Sequence, residues 1–121
     1  MAHYDSRFID RGDPASADFA VGDFTTDLTW CDLDLSSIVP AGAKAVVLKI
    51  EVKDGSLEQF VQFRKNGNSN IYANFLVYTQ TANIRFAGQG IVPCDANRVI
   101  EYRTANTTFT NIDVTVLGWF V

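Results

Sequence analysis

The sequence has few of the residues that most often build metal centres and catalytic sites. Its 121 residues include one histidine, His3, and two cysteines, Cys31 and Cys94. A structural zinc site needs about four nitrogen or sulfur ligands, so these residues do not provide one. No serine or cysteine has a candidate base, because His3 lies in a polar stretch. We therefore expect no catalytic residue, no metal site and no cofactor, and we predict that the protein is not an enzyme.

Carboxylates are the remaining candidates for chemistry. A pair for glycoside hydrolysis, or a calcium site, would have to be drawn from Asp32, Asp34, Asp95 and Glu101. No calcium-loop motif surrounds these residues, and nothing else in the sequence marks a catalytic pair. Both interpretations are disfavoured.

The two cysteines leave two states open. A disulfide between Cys31 and Cys94 would stabilise the fold by about 4 kcal/mol in the chain-entropy model. In a chain without a secretion signal, reduced thiols are the favoured state.

Long apolar runs and a signal pattern are also missing. No run approaches the roughly 20 apolar residues of a membrane helix, so no membrane insertion is expected. The start Met-Ala-His-Tyr-Asp-Ser-Arg-Phe lacks the charged-then-apolar order of a secretion signal, which predicts synthesis in the cytoplasm. The formal net charge of -4 argues against nucleic acid as a partner, since phosphate binding needs a basic face.

Acidic residues are concentrated in the first part of the chain. Residues 1–34 carry eight aspartates against Arg7 and Arg11, whereas the rest carries eight lysines or arginines against six acids. We predict a polar acidic arm over residues 1–17, lying on the chain's own body or on a neighbour, and one domain over residues 18–121.

The clearest pattern in the sequence is an alternation with a period of two after Pro40 and Gly42. Apolar side chains on one side are Val46, Leu48, Ile50 and Val52, and charged ones on the other are Lys49, Glu51 and Lys53. This pattern is typical of a strand with one buried and one wet face. The core is predicted to contain those four apolar residues with Ile112, Val114 and Val116.

Further strands are predicted at residues 19–24, 29–35, 59–65, 71–80, 82–86, 98–104 and 111–121, with a turn at Ala87-Gly88-Gln89-Gly90. About eight strands without an amphipathic helix predict an all-β antiparallel sandwich, and the strand number favours a jelly roll. The order of the strands is not readable from the sequence.

Two of these segments are apolar on both sides. Residues 71–78 and 117–121 do not alternate as a half-exposed strand should, so either the arm or another subunit must cover them. We predict a homo-oligomer whose interface contains Phe75, Tyr78, Leu117, Trp119 and Val121.

A sugar-binding site is a second interpretation of the aromatic residues. Such a site needs an aromatic platform with amides and charges around it. Candidate residues are Trp30, Arg64, Asn66, Asn68, Asn70, Tyr72 and Tyr78. The same residue types are common in hairpin turns and protein interfaces, so a purely structural role is also open.

The stretch Trp30-Cys-Asp-Leu-Asp-Leu-Ser-Ser-Ile-Val-Pro-Ala-Gly-Ala resembles a module of bacteriophage and prophage virion proteins. The resemblance continues at Arg64 with Gly67, at Asp95-Ala-Asn-Arg-Val-Ile-Glu-Tyr and at Gly118-Trp119, and covers roughly residues 28–121. It implies a small β-sandwich on a virion, as a capsid-decoration, tail-fibre or other tail subunit. Expected partners are other copies of the chain, other virion proteins and a cell-surface glycan. The analogy with phage fibres favours a homotrimer.

Overall fold

A computed structural model describes residues 7–72 and 75–121. Within them the chain forms eight β-strands: β1 (Phe8–Asp10), β2 (Cys31–Asp34), β3 (Ala45–Lys53), β4 (Phe60–Lys65), β5 (Phe75–Tyr78), β6 (Phe86–Pro93), β7 (Val99–Thr104) and β8 (Asn111–Phe120). A 3-10 helical turn, Val21–Asp23, lies between β1 and β2. Across the described residues, no helix has the length and apolar character needed to cross a membrane.

The strands are divided between two four-stranded antiparallel sheets. Sheet A has the order β1-β8-β3-β6, and sheet B has the order β2-β7-β4-β5. The first strand pairs with the eighth, the second with the seventh, the third with the sixth and the fourth with the fifth. This nested pairing is the jelly-roll arrangement, in which an antiparallel ribbon of strands folds over into two sheets. The predicted jelly-roll sandwich is confirmed.

The core lies between the sheets, and β3 is its central strand. β3 pairs with β6 on one side and β8 on the other, so its inward side chains are shielded along their whole length. All seven residues predicted for the core have no exposed surface: Val46, Leu48, Ile50, Val52, Ile112, Val114 and Val116. Each large aliphatic side chain buried in this way contributes about 1.5 to 3 kcal/mol.

A β-bulge in sheet A reverses the side-chain alternation near the end of β8. Val47 lies opposite Gly118, but Leu48 lies opposite Val116, so Leu117 is an additional residue in β8. The additional residue shifts the alternation by one position. Trp119 therefore lies opposite the inward-facing Val46 and packs against the core, whereas a strand that alternates from Ile112 without interruption would turn this indole outward.

The first part of the chain is tied to sheet A. β1 pairs with the end of β8. Arg11 forms an ion pair with Asp18, and the carboxylate of Asp18 accepts a hydrogen bond from the backbone N–H of Val116 at 2.8 Å. The predicted arm is thus bound to the chain's own body at residues 8–11. His3 lies outside the described residues.

Phe8 covers part of the outer face of sheet A. Its ring lies 5.6 Å from that of Phe120, measured between centroids. It also lies above Gly118, where an added Cβ would be 2.4 Å from the Phe8 ring and 2.4 Å from the carbonyl oxygen of Ile9. Only glycine leaves room for this contact. The arm therefore covers part of the apolar surface at the end of β8, for which the sequence predicted a cover by the arm or by another subunit.

Three predicted strands are wrong in part. Of residues 82–86, only Phe86 belongs to a strand, as the first residue of β6. In residues 19–24, Phe19 forms a single β-bridge with Val114, and the 3-10 turn follows it. In residues 71–80, the described strand is limited to β5, because Ile71 and Tyr72 belong to an exposed turn. Ile71 and Tyr72 therefore do not belong to a buried strand face, although their apolar character had suggested one. Ala73 and Asn74 lie outside the described residues.

The turn predicted at residues 87–90 is also wrong, because β6 runs through it from Phe86 to Pro93. Gly88 and Gly90 lie opposite the inward-facing Ile50 and Leu48 and so face sheet B. An added Cβ at Gly90 would be 2.5 Å from the ring of Phe75. The glycines are therefore needed for sheet-to-sheet packing rather than for a turn.

Candidate functional site

The outer face of sheet B presents a candidate site with exposed aromatic side chains. In β4, Val61 and Phe63 are fully buried in the core, so the alternate residues Phe60, Gln62 and Arg64 face outward. Gln62 and Arg64 are nevertheless only 7% and 9% exposed. Neighbouring side chains therefore cover much of this outer face.

Neighbouring strands place aromatic, aliphatic and cationic groups beside β4. Tyr78 of β5 lies opposite Phe60, and Leu76 lies opposite Gln62. On the other side, Arg103 of β7 also lies opposite Gln62. Cross-strand partners lie about 5 Å apart on the same face, so these residues form one surface.

Two adjoining depressions make up this surface, which we call the outer groove. One, of about 300 Å³, is lined by Phe60, Gln62, Ile71, Tyr72, Leu76, Tyr78 and Arg103. The other, of about 680 Å³, is lined by Leu57, Glu58, Phe60, Tyr78, Thr79 and Gln80. Phe60 and Tyr78 belong to both linings and so stand at the boundary between them.

The aromatic side chains of the outer groove differ in how firmly they are held. Phe60 and Tyr78 pack edge to face, with ring centroids 6.2 Å apart and an interplanar angle of 66°. Tyr78 remains 46% exposed, and Tyr72 is 95% exposed. The groove therefore offers one ring fixed by an aromatic neighbour and one ring open to solvent.

Arg103 supplies a positive charge at the side of the groove. Its Nε donates a hydrogen bond to the carbonyl of Leu28 at 3.0 Å, and one Nη donates to Gln62 Oε1 at 3.5 Å. Its guanidinium lies 5.7 Å from the centre of the Phe60 ring. These contacts hold the guanidinium in position beside the aromatic pair.

Arg64 is fixed in a separate cluster farther along β4. Its Nε donates to Glu101 Oε1 at 2.7 Å, and the ring of Trp30 lies 3.8 Å from its guanidinium carbon. Glu101 Oε2 also accepts the backbone N–H of Gly67 at 3.2 Å. The cluster therefore joins three segments of sheet B through one shielded ion pair.

Asp95 organises the loop between β6 and β7. Its Oδ1 accepts the backbone N–H groups of Val99 and Asn97, both at 2.9 Å, and its Oδ2 accepts the side-chain amide of Asn66 at 2.8 Å. The bond from Val99, followed by that from Asn66, lowers the pKa of Asp95 below its usual value. The conformation of this loop thus depends on the ionised carboxylate.

The predicted ligand-binding residues fall into separate groups. Tyr72 and Tyr78 come together in the outer groove. Trp30, Arg64 and Asn66 hold the loops and strands together through the contacts just described. Asn68 and Asn70 lie in the connection after β4, where Asn68 N–H donates to the Lys65 carbonyl at 3.1 Å. Neither asparagine lines the groove.

The predicted interface residues are also divided. Phe75 stacks on the buried Phe63, with centroids 6.2 Å apart, and Trp119 packs against the core. Leu117 and Val121 are half-buried, whereas Tyr78 is exposed. Of this set, Tyr78 alone lines the outer groove.

Sequence reasoning missed Phe60, Gln62, Leu76 and Arg103 as parts of one surface. Their alternation within each strand was visible, but their juxtaposition depends on the pairing of β4 with β5 and β7. A strand register is a tertiary property, and no motif marks this one.

The cysteines lie apart from the groove. Both are free thiols, as the sequence favoured; Cys31 is half-buried and Cys94 is buried. Burial raises the pKa of the Cys94 thiol. Over residues 7–72 and 75–121, no group of three or more histidine, cysteine, aspartate or glutamate side chains is arranged to hold a metal ion.

Comparison with protein-family models, with curated proteins and with solved structures found no match to this chain.

Proposed function

We propose that this protein is a structural subunit of a bacteriophage virion, in a capsid decoration, fibre or tail, and that it assembles as a homo-oligomer. The motif resemblance in residues 28–121 suggests the virion. The observation that supports assembly is the concentration of exposed apolar side chains in the outer groove.

Apolar exposure on the described surface is uneven. Nine large hydrophobic residues are exposed there, and five of them line the outer groove: Leu57, Ile71, Tyr72, Leu76 and Tyr78. A contiguous apolar patch bordered by polar groups is typical of a surface that binds a partner. A symmetric contact lets every copy cover the same patch. The analogy with phage fibres favours three copies.

Light scattering on the purified protein, with a Tyr78→Asp variant, tests this proposal. The substitution places an unpaired carboxylate in the buried contact and should dissociate the assembly. Leu28→Asp is the matched control, because Leu28 is 45% exposed, close to the 46% of Tyr78, and lines neither depression. Dissociation by both variants, or by neither, would contradict assembly through the outer groove.

A second candidate function is binding of a cell-surface glycan in the same groove. The observation that favours it is the position of Gln62 and Arg103 beside Tyr72 and Tyr78. Sugar rings stack on aromatic faces while their hydroxyl groups exchange hydrogen bonds with amide and guanidinium groups.

A glycan array with the isolated protein tests this candidate. Tyr72→Ala should abolish glycan binding without changing stability, since that ring is 95% exposed. Leu28→Ala should bind as the wild type does. Equal glycan binding by the Tyr72→Ala variant and the wild type would exclude a sugar site at this ring.

A further inference from the structure

The outer edge of β6 differs from the other three sheet edges. Sheet A ends at β1 and β6, and sheet B ends at β2 and β5. β1 has three residues, β2 has four with Asp32 and Asp34 exposed, and the described part of β5 has four. β6 has eight residues, Phe86–Pro93, and none of them is charged.

An edge of this kind is normally protected. Natural sheets shorten their edge strands, charge them or interrupt them with bulges, because unpaired N–H and C=O groups recruit further strands. β6 pairs with β3 without a register shift over its full length. Three of its four inward-facing residues, Phe86, Gly88 and Gly90, are only half-buried. In the described chain, no strand pairs with the other side of β6.

The sequence of β6 is complementary to itself in one antiparallel register. With Gln89 opposite Gln89 of a second copy, Ala87 meets Ile91 on the outer face, so the smallest side chain there faces the bulkiest one. Ile91 is 57% exposed in the single chain. On the inner face, Phe86 meets Val92 and Gly88 meets Gly90. No like charges face each other in this register.

We infer that β6 pairs with β6 of a second copy of this chain about a two-fold axis near Gln89, joining two A sheets into one. Seven residues of each copy, 86–92, pair in this register. An antiparallel ladder of that length forms about six to eight hydrogen bonds. That number approaches the roughly ten of a typical protein interface. A second copy of the chain presents a strand of the same length whose side chains are complementary in this register. It is therefore the partner that fits the β6 edge best.

Disulfide trapping of a Gln89→Cys variant of the full chain tests the contact. Directly opposite residues of an antiparallel pair have Cα atoms about 4.5 to 5.5 Å apart, within the range of about 4.4 to 6.8 Å that a disulfide spans. Mild oxidation should convert this variant mainly to a covalent dimer linked through residue 89, identified by peptide mass.

Lys49→Cys is the matched control, because Lys49 is the partner of Gln89 on the interior strand β3 and faces the same side. It should stay uncrosslinked, as should the wild type with Cys31 and Cys94. Failure of Gln89→Cys to crosslink, or equal crosslinking of Lys49→Cys, would overturn the inference.

Charge substitutions provide a second measurement that does not depend on oxidation. The pair Ala87→Glu with Ile91→Glu places like charges opposite each other and should halve the assembled mass. The pair Ala87→Lys with Ile91→Glu places opposite charges there and should keep the mass. An unchanged mass with the like-charged pair would overturn the inference.

The results also separate this contact from assembly through the outer groove. A three-chain mass without a Gln89→Cys crosslink would overturn the β6 contact and leave the proposed function intact. A crosslinked two-chain species that is insensitive to Tyr78→Asp would support the β6 contact and contradict groove-driven assembly.

Discussion

Replacing Gly90 by alanine should destabilise the fold through one identifiable clash. An ideal Cβ at this position lies 2.5 Å from two ring atoms of Phe75 and 2.7 Å from a third, whereas ordinary contacts are 3.4 to 4 Å. Phe75 stacks at 14° on Phe63, which has no exposed surface. Retreat of the ring therefore disturbs the core.

The expected loss combines two opposing effects. Overpacking costs about 1 to 3 kcal/mol. Replacing glycine by alanine also reduces the conformational entropy of the unfolded chain, which stabilises the folded state by about 0.4 to 1 kcal/mol. We expect a net decrease of about 1 to 2 kcal/mol in the free energy of unfolding, measured by urea denaturation at one fixed protein concentration.

Two further variants isolate the cause. Gly22→Ala is the control, because nothing lies within 4 Å of an added Cβ there, and its effect should stay within about 0.5 kcal/mol. Phe75→Leu combined with Gly90→Ala should lose less than the sum of the single variants, with a coupling of about 1 kcal/mol. Wild-type stability of Gly90→Ala, with no coupling, would refute packing of Phe75 onto β6.

Three other predictions concern the core, the carboxylates and the thiols. Leu48→Ala should lower the free energy of unfolding by about 2 to 5 kcal/mol in urea, through lost burial and a cavity; a change below about 0.5 kcal/mol would contradict the central position of β3. Because the folded state lowers the pKa of Asp95, its stabilising effect is complete above the unfolded pKa of about 3.9 and is lost as the pH falls through the lower folded pKa. The free energy of unfolding, measured in urea between about pH 2 and 6, should therefore decrease less at low pH for Asp95→Asn than for the wild type. An equal pH dependence of the two proteins would rule out this contribution. Thiol titration of denatured, unreduced protein should detect both Cys31 and Cys94, and the absence of free thiols would disprove the unpaired state.

The sequence predicted best those parts of the fold that have one buried face. β3 and most of β8 alternate strictly, because sheet A covers one side with the core and leaves the other to solvent. β6 escaped prediction because Gly88 and Gly90 serve the packing of Phe75 and Val77, and glycine looks the same in a turn. The additional residue Leu117 could not be seen in the sequence, so the inward direction of the Trp119 side chain could not be predicted.

The candidate site was predictable only as a set of residue types. Tyr72 and Tyr78 were identified because a sugar-binding site needs an aromatic platform. Arg64 and Asn66 were chosen because such a site needs charges and amides around the platform. Arg64 instead donates a hydrogen bond to Glu101 at 2.7 Å, and Asn66 donates one to Asp95 at 2.8 Å. Such pairings arise between distant parts of the chain, and residue type alone does not indicate them.

The mass of the protein in solution shows whether this jelly roll assembles as a structural subunit should. Light scattering at a protein concentration of tens of micromolar should give three times the mass of one chain, or six times that mass when the β6 edges also pair. The mass should fall in Tyr78→Asp and remain unchanged in Leu28→Asp. If the wild-type protein has the mass of a single chain, it does not assemble, and the proposed role as a structural subunit is wrong.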